Sequence, residues 1–308
     1  MATIFAALVS AGVLSISGQA TELPQAAVET QVPPVELDTI LVDGRRLEER
    51  VDDFVAEVAA PPVGRGLARW DRAVCIGTAN MDRRYAQFMI DRVSTVAISQ
   101  GLDIGEPGCR PNVMIAAASD ADELSTRLVE DEPNGFQPAQ SNTDRGDAAL
   151  AVFKTSDAPV RWWHVSLPVS ADTGEPAVRY VGEGPQQIRV RDASRIRSNV
   201  RDDLARVYIV LDVTRIGQVA FGALSEYVAL IALAQIDPAA DTSYYPSILN
   251  LFNTSDQLTG LTDWDRDYLT ALYTAPRDRA RPTQQAREIA REMTGSQTRA
   301  DEAAVPEP

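Results

Sequence analysis

The chain has 308 residues, 44% hydrophobic and 24% charged, the balance of a globular protein long enough to bury one large core or two smaller ones. Its formal net charge of −15 argues against DNA or RNA as a partner, because phosphate-backbone binding needs clustered Lys and Arg. The composition also limits the chemistry: besides two cysteines, Cys75 and Cys109, the chain has one histidine, His164, and a single imidazole cannot build a three-histidine zinc site.

Residues 1–20 read as a signal peptide. Residues 4–16 are apolar but too short to span a bilayer, and Gly18-Gln19-Ala20 has the small-x-small form of a cleavage site. The basic residues that normally precede such a stretch are missing, so a buried N-terminal helix is the alternative. Residues 21–38 are Pro-rich and aperiodic, a disordered leader. A single α/β domain is expected over 39–275, opening with a short strand at 39–42 closed by Asp43-Gly44. Leu47, Val51, Phe54, Val55 and Val58 then recur at helical spacing until Pro61-Pro62.

Residues 72–77 predict a strand. A long helix over 83–100 carries Tyr85, Met89, Val93, Val96 and Ala97 on one stripe, with Gly101 as its cap. Residues 112–116 form a second, doubly buried strand. Asp120 with Glu123 marks a helix start that carries Leu124 and Leu128 inward. Residues 131–148 read as a polar surface loop. Strands follow at 160–166 and 177–181, joined in a hairpin by Asp172-Thr173-Gly174, and another at 207–213 leads into a helix over 217–235 that is apolar almost all round. The tail, 276–308, reads as a polar helix over 283–293 followed by disorder. No later segment is long enough to be transmembrane, no repeat is visible, and Gly182-Glu183-Gly184 lacks the helix that a phosphate loop requires. The two cysteines of an exported chain suggest a bridge worth about 3–4 kcal/mol in the chain-entropy model, with two buried free thiols as the alternative.

The order of these pieces resembles the metzincin-type zinc peptidases over roughly residues 66–275. The likeness rests on Ala68-Arg69-Trp70-Asp71-Arg72-Ala73-Val74-Cys75-Ile76 with the helix after it, on Gly101-Leu102-Asp103-Ile104 and Pro111-Asn112-Val113-Met114-Ile115, and on the buried helix at 217–235. Pro246-Ser247-Ile248-Leu249-Asn250 and the stretch from Leu258 to Tyr273 are similar to the family's Met-turn and closing helix. The resemblance implies a mixed sheet with a long backing helix and a central active-site helix. It also places the family's H-E-x-x-H-x-x-G-x-x-H motif on 225–235, so that Ser225, Ala229 and Gln235 replace the three ligands and Leu249 the Met-turn methionine. Only Glu226, the general-base position, is kept. Alanine offers no lone pair, and neutral serine or glutamine binds zinc poorly.

The expected function is therefore that of an exported, non-catalytic metallopeptidase-like protein, periplasmic or secreted, which binds or scaffolds a protein, peptide or glycan of the envelope without metal or cofactor. Glu226 reads as a carboxylate that has found a partner such as an arginine, or as a surviving ligand contact or acid/base. Trp162 and His164 share one face of a strand and form either a binding ledge or ordinary core packing. Two alternatives stand beside this: a metal-independent hydrolase using Glu226 with Asp237 or Asp241, and a structural envelope component. Serine–histidine catalysis through Ser225 lacks a nucleophile-elbow pattern.

Overall fold

A computed structural model describes residues 46–139, 142–180, 197–254 and 258–304. The expected signal peptide, the leader, the strand at 39–42 and the Gly182-Glu183-Gly184 pair lie outside the described residues. Among those described, the chain is a mixed α/β protein with eight α-helices and one four-stranded sheet. Three strands run parallel: β1 (Ile76–Ala79), β2 (Val113–Ala118) and β4 (Val200–Asp212). The fourth, β3 (Val160–Ser170), lies antiparallel to β4 at the edge, giving the order β1-β2-β4-β3.

Between β1 and β2 runs α2 (Arg83–Ser99). Asp82 caps its start by accepting from Arg84 N–H, and Gly101 turns the chain out of it at φ +76°. Met89, Val93, Val96 and Ala97 form its buried stripe. Tyr85, expected on that stripe, is 51% exposed and packs instead on Phe221 at the surface. The first strand also starts later than expected. Before it, Val74 makes an isolated bridge to Ile104 and Cys75 O accepts from Asn112 and Val113 N–H, and the Cys75–Cys109 disulfide adds a covalent tie.

After β2 the chain crosses to the other face of the sheet. There α3 (Ala121–Asp131) is capped by Asp120, whose carboxylate accepts from Glu123 N–H, and Leu124 and Leu128 turn inward as expected. The predicted loop over 131–148 holds structure of its own. It contains α4 (Pro133–Phe136) and the start of α5 (Gly146–Thr155). Phe136 is fully buried and stacks on Tyr208 at 4.0 Å, so this polar stretch contributes the centre of a second, smaller core with Leu150, Phe153 and Trp163. One aromatic in a polar run gives no period to detect, which is why the pattern concealed it.

Among the described residues, the predicted hairpin from β3 towards 177–181 forms only next to its turn, where Ser170 N–H donates to Glu175 O and Ala177 N–H to Pro168 O. Gly174 (φ +71°) does turn the chain, and Ser170 O accepts from its N–H, but the returning residues make only isolated bridges. The ladder partner of β3 is β4, which begins at Val200 rather than at 207. Their register shifts between Val165 and Ser166, where Ala205 is the extra residue on β4. Alternation puts Trp162 in the main core on one face and Trp163 with Val165 in the second core on the other.

The main core is built around α6 (Phe221–Leu233), buried on nearly every side. It is enclosed by α2, by α1 (Leu47–Val58), and by α7 (Asp263–Thr274), which starts with a capping box between Thr262 and Asp265. Phe54 of α1 makes edge contacts with Tyr245, Trp264 and Tyr268. The tail is longer in helix than expected: α8 (Pro282–Ala304) lies against α1 and α7 and buries Ile289, Ala290 and Met293. Its apolar stripe is narrow, and the surrounding polar residues mask it in composition.

Candidate functional site

The three positions that the sequence resemblance would assign to zinc ligands are Ser225 and Ala229 on α6 and Gln235 beyond it, and each is engaged elsewhere. Ser225 is buried and its hydroxyl donates to Phe221 O of its own helix at 2.7 Å. Ala229 is wholly enclosed by core side chains. Gln235 lies past the helix end, where its amide oxygen accepts from Ala68 N–H at 2.7 Å. These residues do not fit a zinc ion: one has no lone pair, and the oxygens of the other two are already hydrogen-bonded. Among the described residues no group of three or more His, Cys, Asp or Glu side chains converges at metal-binding range.

Glu226 has found partners. One carboxylate oxygen accepts from Leu261 N–H at 2.6 Å, and the other pairs with Arg92 of α2 at 3.2 Å. Gly260 comes so close that a Cβ there would overlap this carboxylate. Glu226 thus ties α6 to α2 and to the loop before α7. The carboxylates considered as its catalytic companions are not brought to it. Asp237 forms a two-pronged pair with Arg145 at 2.7 and 2.9 Å, and Asp241 accepts from its neighbour Ser243.

The ledge residues Trp162 and His164 do meet a cavity, of about 350 Å³. It runs between the β3 edge and α5, and is closed by Tyr227 of α6, by the segment after α6 and by the turn containing Leu249. Trp162 donates its indole N–H to Ile236 O at 2.8 Å, which fixes its ring. Tyr227 packs edge-on against Trp162 at 6.3 Å and against Phe252 at 5.3 Å, so three rings follow one another along the wall. Arg145 and Asp237 stand on its rim, each partly exposed. The outer edge of β3 opens here. Ser166 N–H donates to Thr143 O at 2.8 Å and Ser170 N–H to Glu175 O at 2.8 Å, but between Val160 and His164 no described residue pairs with that edge.

His164 contributes a fixed acceptor. Its Nε2 lies 2.7 Å from Ile231 O, and a carbonyl can only accept, so Nε2 carries the proton and Nδ1 the lone pair. Burial pushes its pKa down to about 4; the hydrogen bond to Ile231 opposes this, and the nearby Arg145 charge adds to it. The ring is therefore neutral near neutral pH. Burial also holds the Tyr227 phenol well above its ordinary value, so it too is uncharged.

Leu249 borders the cavity, whereas Ser225, Glu226, Ala229 and Gln235 do not. Sequence reasoning missed Tyr227, Phe252 and Arg145. Tyr227 carried a signal, as the one aromatic with a polar end inside an otherwise aliphatic helix; the other two become neighbours only through the fold. A larger hollow of about 650 Å³ lies at the carboxyl ends of the parallel strands, lined by Asn80, Ser119, Asp120, Glu123 and Arg127 of mixed charge. Comparison with protein-family models, curated proteins and solved structures gives no match.

Proposed function

We propose that this chain is an exported, non-catalytic binding protein on a metallopeptidase-like frame, and that the groove along β3 takes an extended peptide segment. The observation that carries the reading is the stretch of β3 edge that no described residue pairs, opening into a cavity walled by Trp162, Tyr227 and Phe252. An unpaired strand edge offers backbone donors and acceptors to an added strand, and a neighbouring apolar pocket selects its side chain. The neutral Nδ1 of His164 asks for a hydrogen-bond donor in the ligand, such as a peptide N–H. The metallopeptidase-like frame rests on the sequence resemblance over residues 66–275, with the buried helix α6 in the place of the active-site helix. Export is supported by the Cys75–Cys109 bridge, because disulfides persist in oxidising compartments.

The non-catalytic reading rests on the chemistry of these positions. The former ligand positions offer no free donor set, and Glu226 is committed to Arg92 and Leu261. The test is a titration of the full chain with a panel of extended peptides bearing one aromatic or branched apolar side chain, followed by tryptophan fluorescence. Saturable binding that falls on Phe252→Ala is expected. No saturable binding across the panel, or an unchanged affinity in the variant, would overturn the reading. Stoichiometric zinc in the purified protein, with metal-dependent cleavage of the same peptides, would overturn it as well.

A further inference from the structure

A second cavity, of about 430 Å³, lies at the amino-terminal end of the parallel strands and shares no lining residue with the groove. Arg72, Arg110 and Arg206 all line it, and no Asp or Glu does so among the described residues. In a chain of net charge −15 that is a notable concentration of positive charge, with an ion pair among the described residues for Arg206 alone, to Glu132. Several arginines elsewhere are matched by carboxylates: Arg65 pairs with Asp202, and Arg201 and Arg277 each pair with both Asp71 and Asp203.

The three cavity arginines are held differently. Arg72 donates to the backbone oxygen of Ala205, which spends one N–H and orients the rest. Arg206 donates to the Tyr208 hydroxyl at 3.2 Å, and its carboxylate partner, Glu132, is 3.7 Å away. Arg110 is exposed and has neither hydrogen bond nor ion pair among the described residues. Arg72 loses proton affinity through burial and then through the neighbouring charge of Arg206; Tyr180 and Asp203 offset this in part.

The local fold brings these residues to one cavity. Arg72 lies just before Cys75 and Arg110 just after Cys109, so the disulfide pins their two segments side by side. Asn112 braces the floor, accepting from Cys75 N–H at 2.8 Å and donating to Ala73 O at 2.9 Å. Arg206 adjoins Ala205, the extra residue at the β3–β4 register shift. We infer that Arg72, Arg110 and Arg206 form a binding site for a phosphate group. Guanidinium forks match the oxygens of phosphate two at a time, and a phosphate group, free or esterified, offers more acceptor oxygens to three such forks than one carboxylate does. The phosphate could come from solution or from an anionic lipid headgroup.

The experiment is calorimetric titration of the full chain with inorganic phosphate at low, constant ionic strength, beside flotation with phosphatidylglycerol vesicles and phosphatidylcholine controls. Arg110→Gln is the variant of choice, because Arg110 has no described partner and the folded state should melt at the same temperature in phosphate-free buffer. Saturable phosphate binding that weakens about tenfold in R110Q is expected, the loss of one charge-assisted contact. Binding confined to phosphatidylglycerol vesicles and lost in R110Q supports the site and names the lipid as the source. Absence of binding to both probes, or equal binding by R110Q, overturns it.

Discussion

His164 links the pH response of the protein to its groove. Burial lowers its pKa from 6.5 to about 4, so between those values the unfolded chain takes up a proton that the folded chain refuses. The stabilisation from keeping this ring neutral is complete above about pH 6.5 and drains away as pH falls towards 4, a loss of about 3 kcal/mol. His164→Gln can still donate to Ile231 O but cannot titrate. The variant is expected to lose less stability than the parent across that window, as read by urea midpoints at several pH values. As the only histidine in the chain, His164 also gives a single pair of imidazole C–H resonances in a proton spectrum, so its pKa can be followed directly. A midpoint near 6.5 in the folded protein would remove the basis for both expectations. Glu226 is informative at the same scale in a different way. Its partner is an arginine, a possibility visible from an acid set in an apolar helix, but the second partner, Leu261 N–H, is a backbone group that no side-chain pattern reveals.

Between elements, the Glu226 tie can be tested from both ends. Removing the carboxylate with Glu226→Ala leaves Leu261 N–H without its acceptor and Arg92 without its charge, a cost of about 1–3 kcal/mol. Gly260→Ala places a Cβ where the carboxylate sits and should push it off the same two partners. The two substitutions act on one contact, so the double variant is expected to be less destabilised than the sum of the singles. Strict additivity in urea denaturation would mean that Gly260 is needed for some other reason. A second prediction concerns α1, whose attachment depends on Phe54 packed among Tyr245, Trp264 and Tyr268. Phe54→Ala should cost about 3–5 kcal/mol, and a loss below 1 kcal/mol would show that the helix is held mainly by its contact with α8.

Across the whole molecule, legibility followed the length of each pattern. The alternation β1-α2-β2-α3 was readable because α2 and β2 bury regular stripes over enough residues to reveal a period. The partner of β3 was not, because Asp172-Thr173-Gly174 is a sound local turn, while the first half of β4, Arg-Asp-Asp-Leu-Ala-Arg after Val200, lacks clean alternation. The site was half readable: period two placed Trp162 and His164 on one face, but the residues that complete their cavity come from α5, α6 and the turn at 249–253. This layering has a mechanical consequence. The face carrying α3, α4 and α5 rests on the smaller core, centred on Phe136 with Phe153, Trp163 and Tyr208, and α5 is also a wall of the groove. Such a layer should open at lower free energy than the core around α6. Amide exchange is therefore expected to be faster in α5 than in α6 or β2. Phe136→Ala should widen that difference while leaving α6 protection nearly unchanged. If the groove binds as proposed, the same substitution weakens peptide affinity without touching a groove residue, because it loosens one wall. Equal protection of α5 and α6 in the variant would instead show that the two faces of the sheet unfold as one unit.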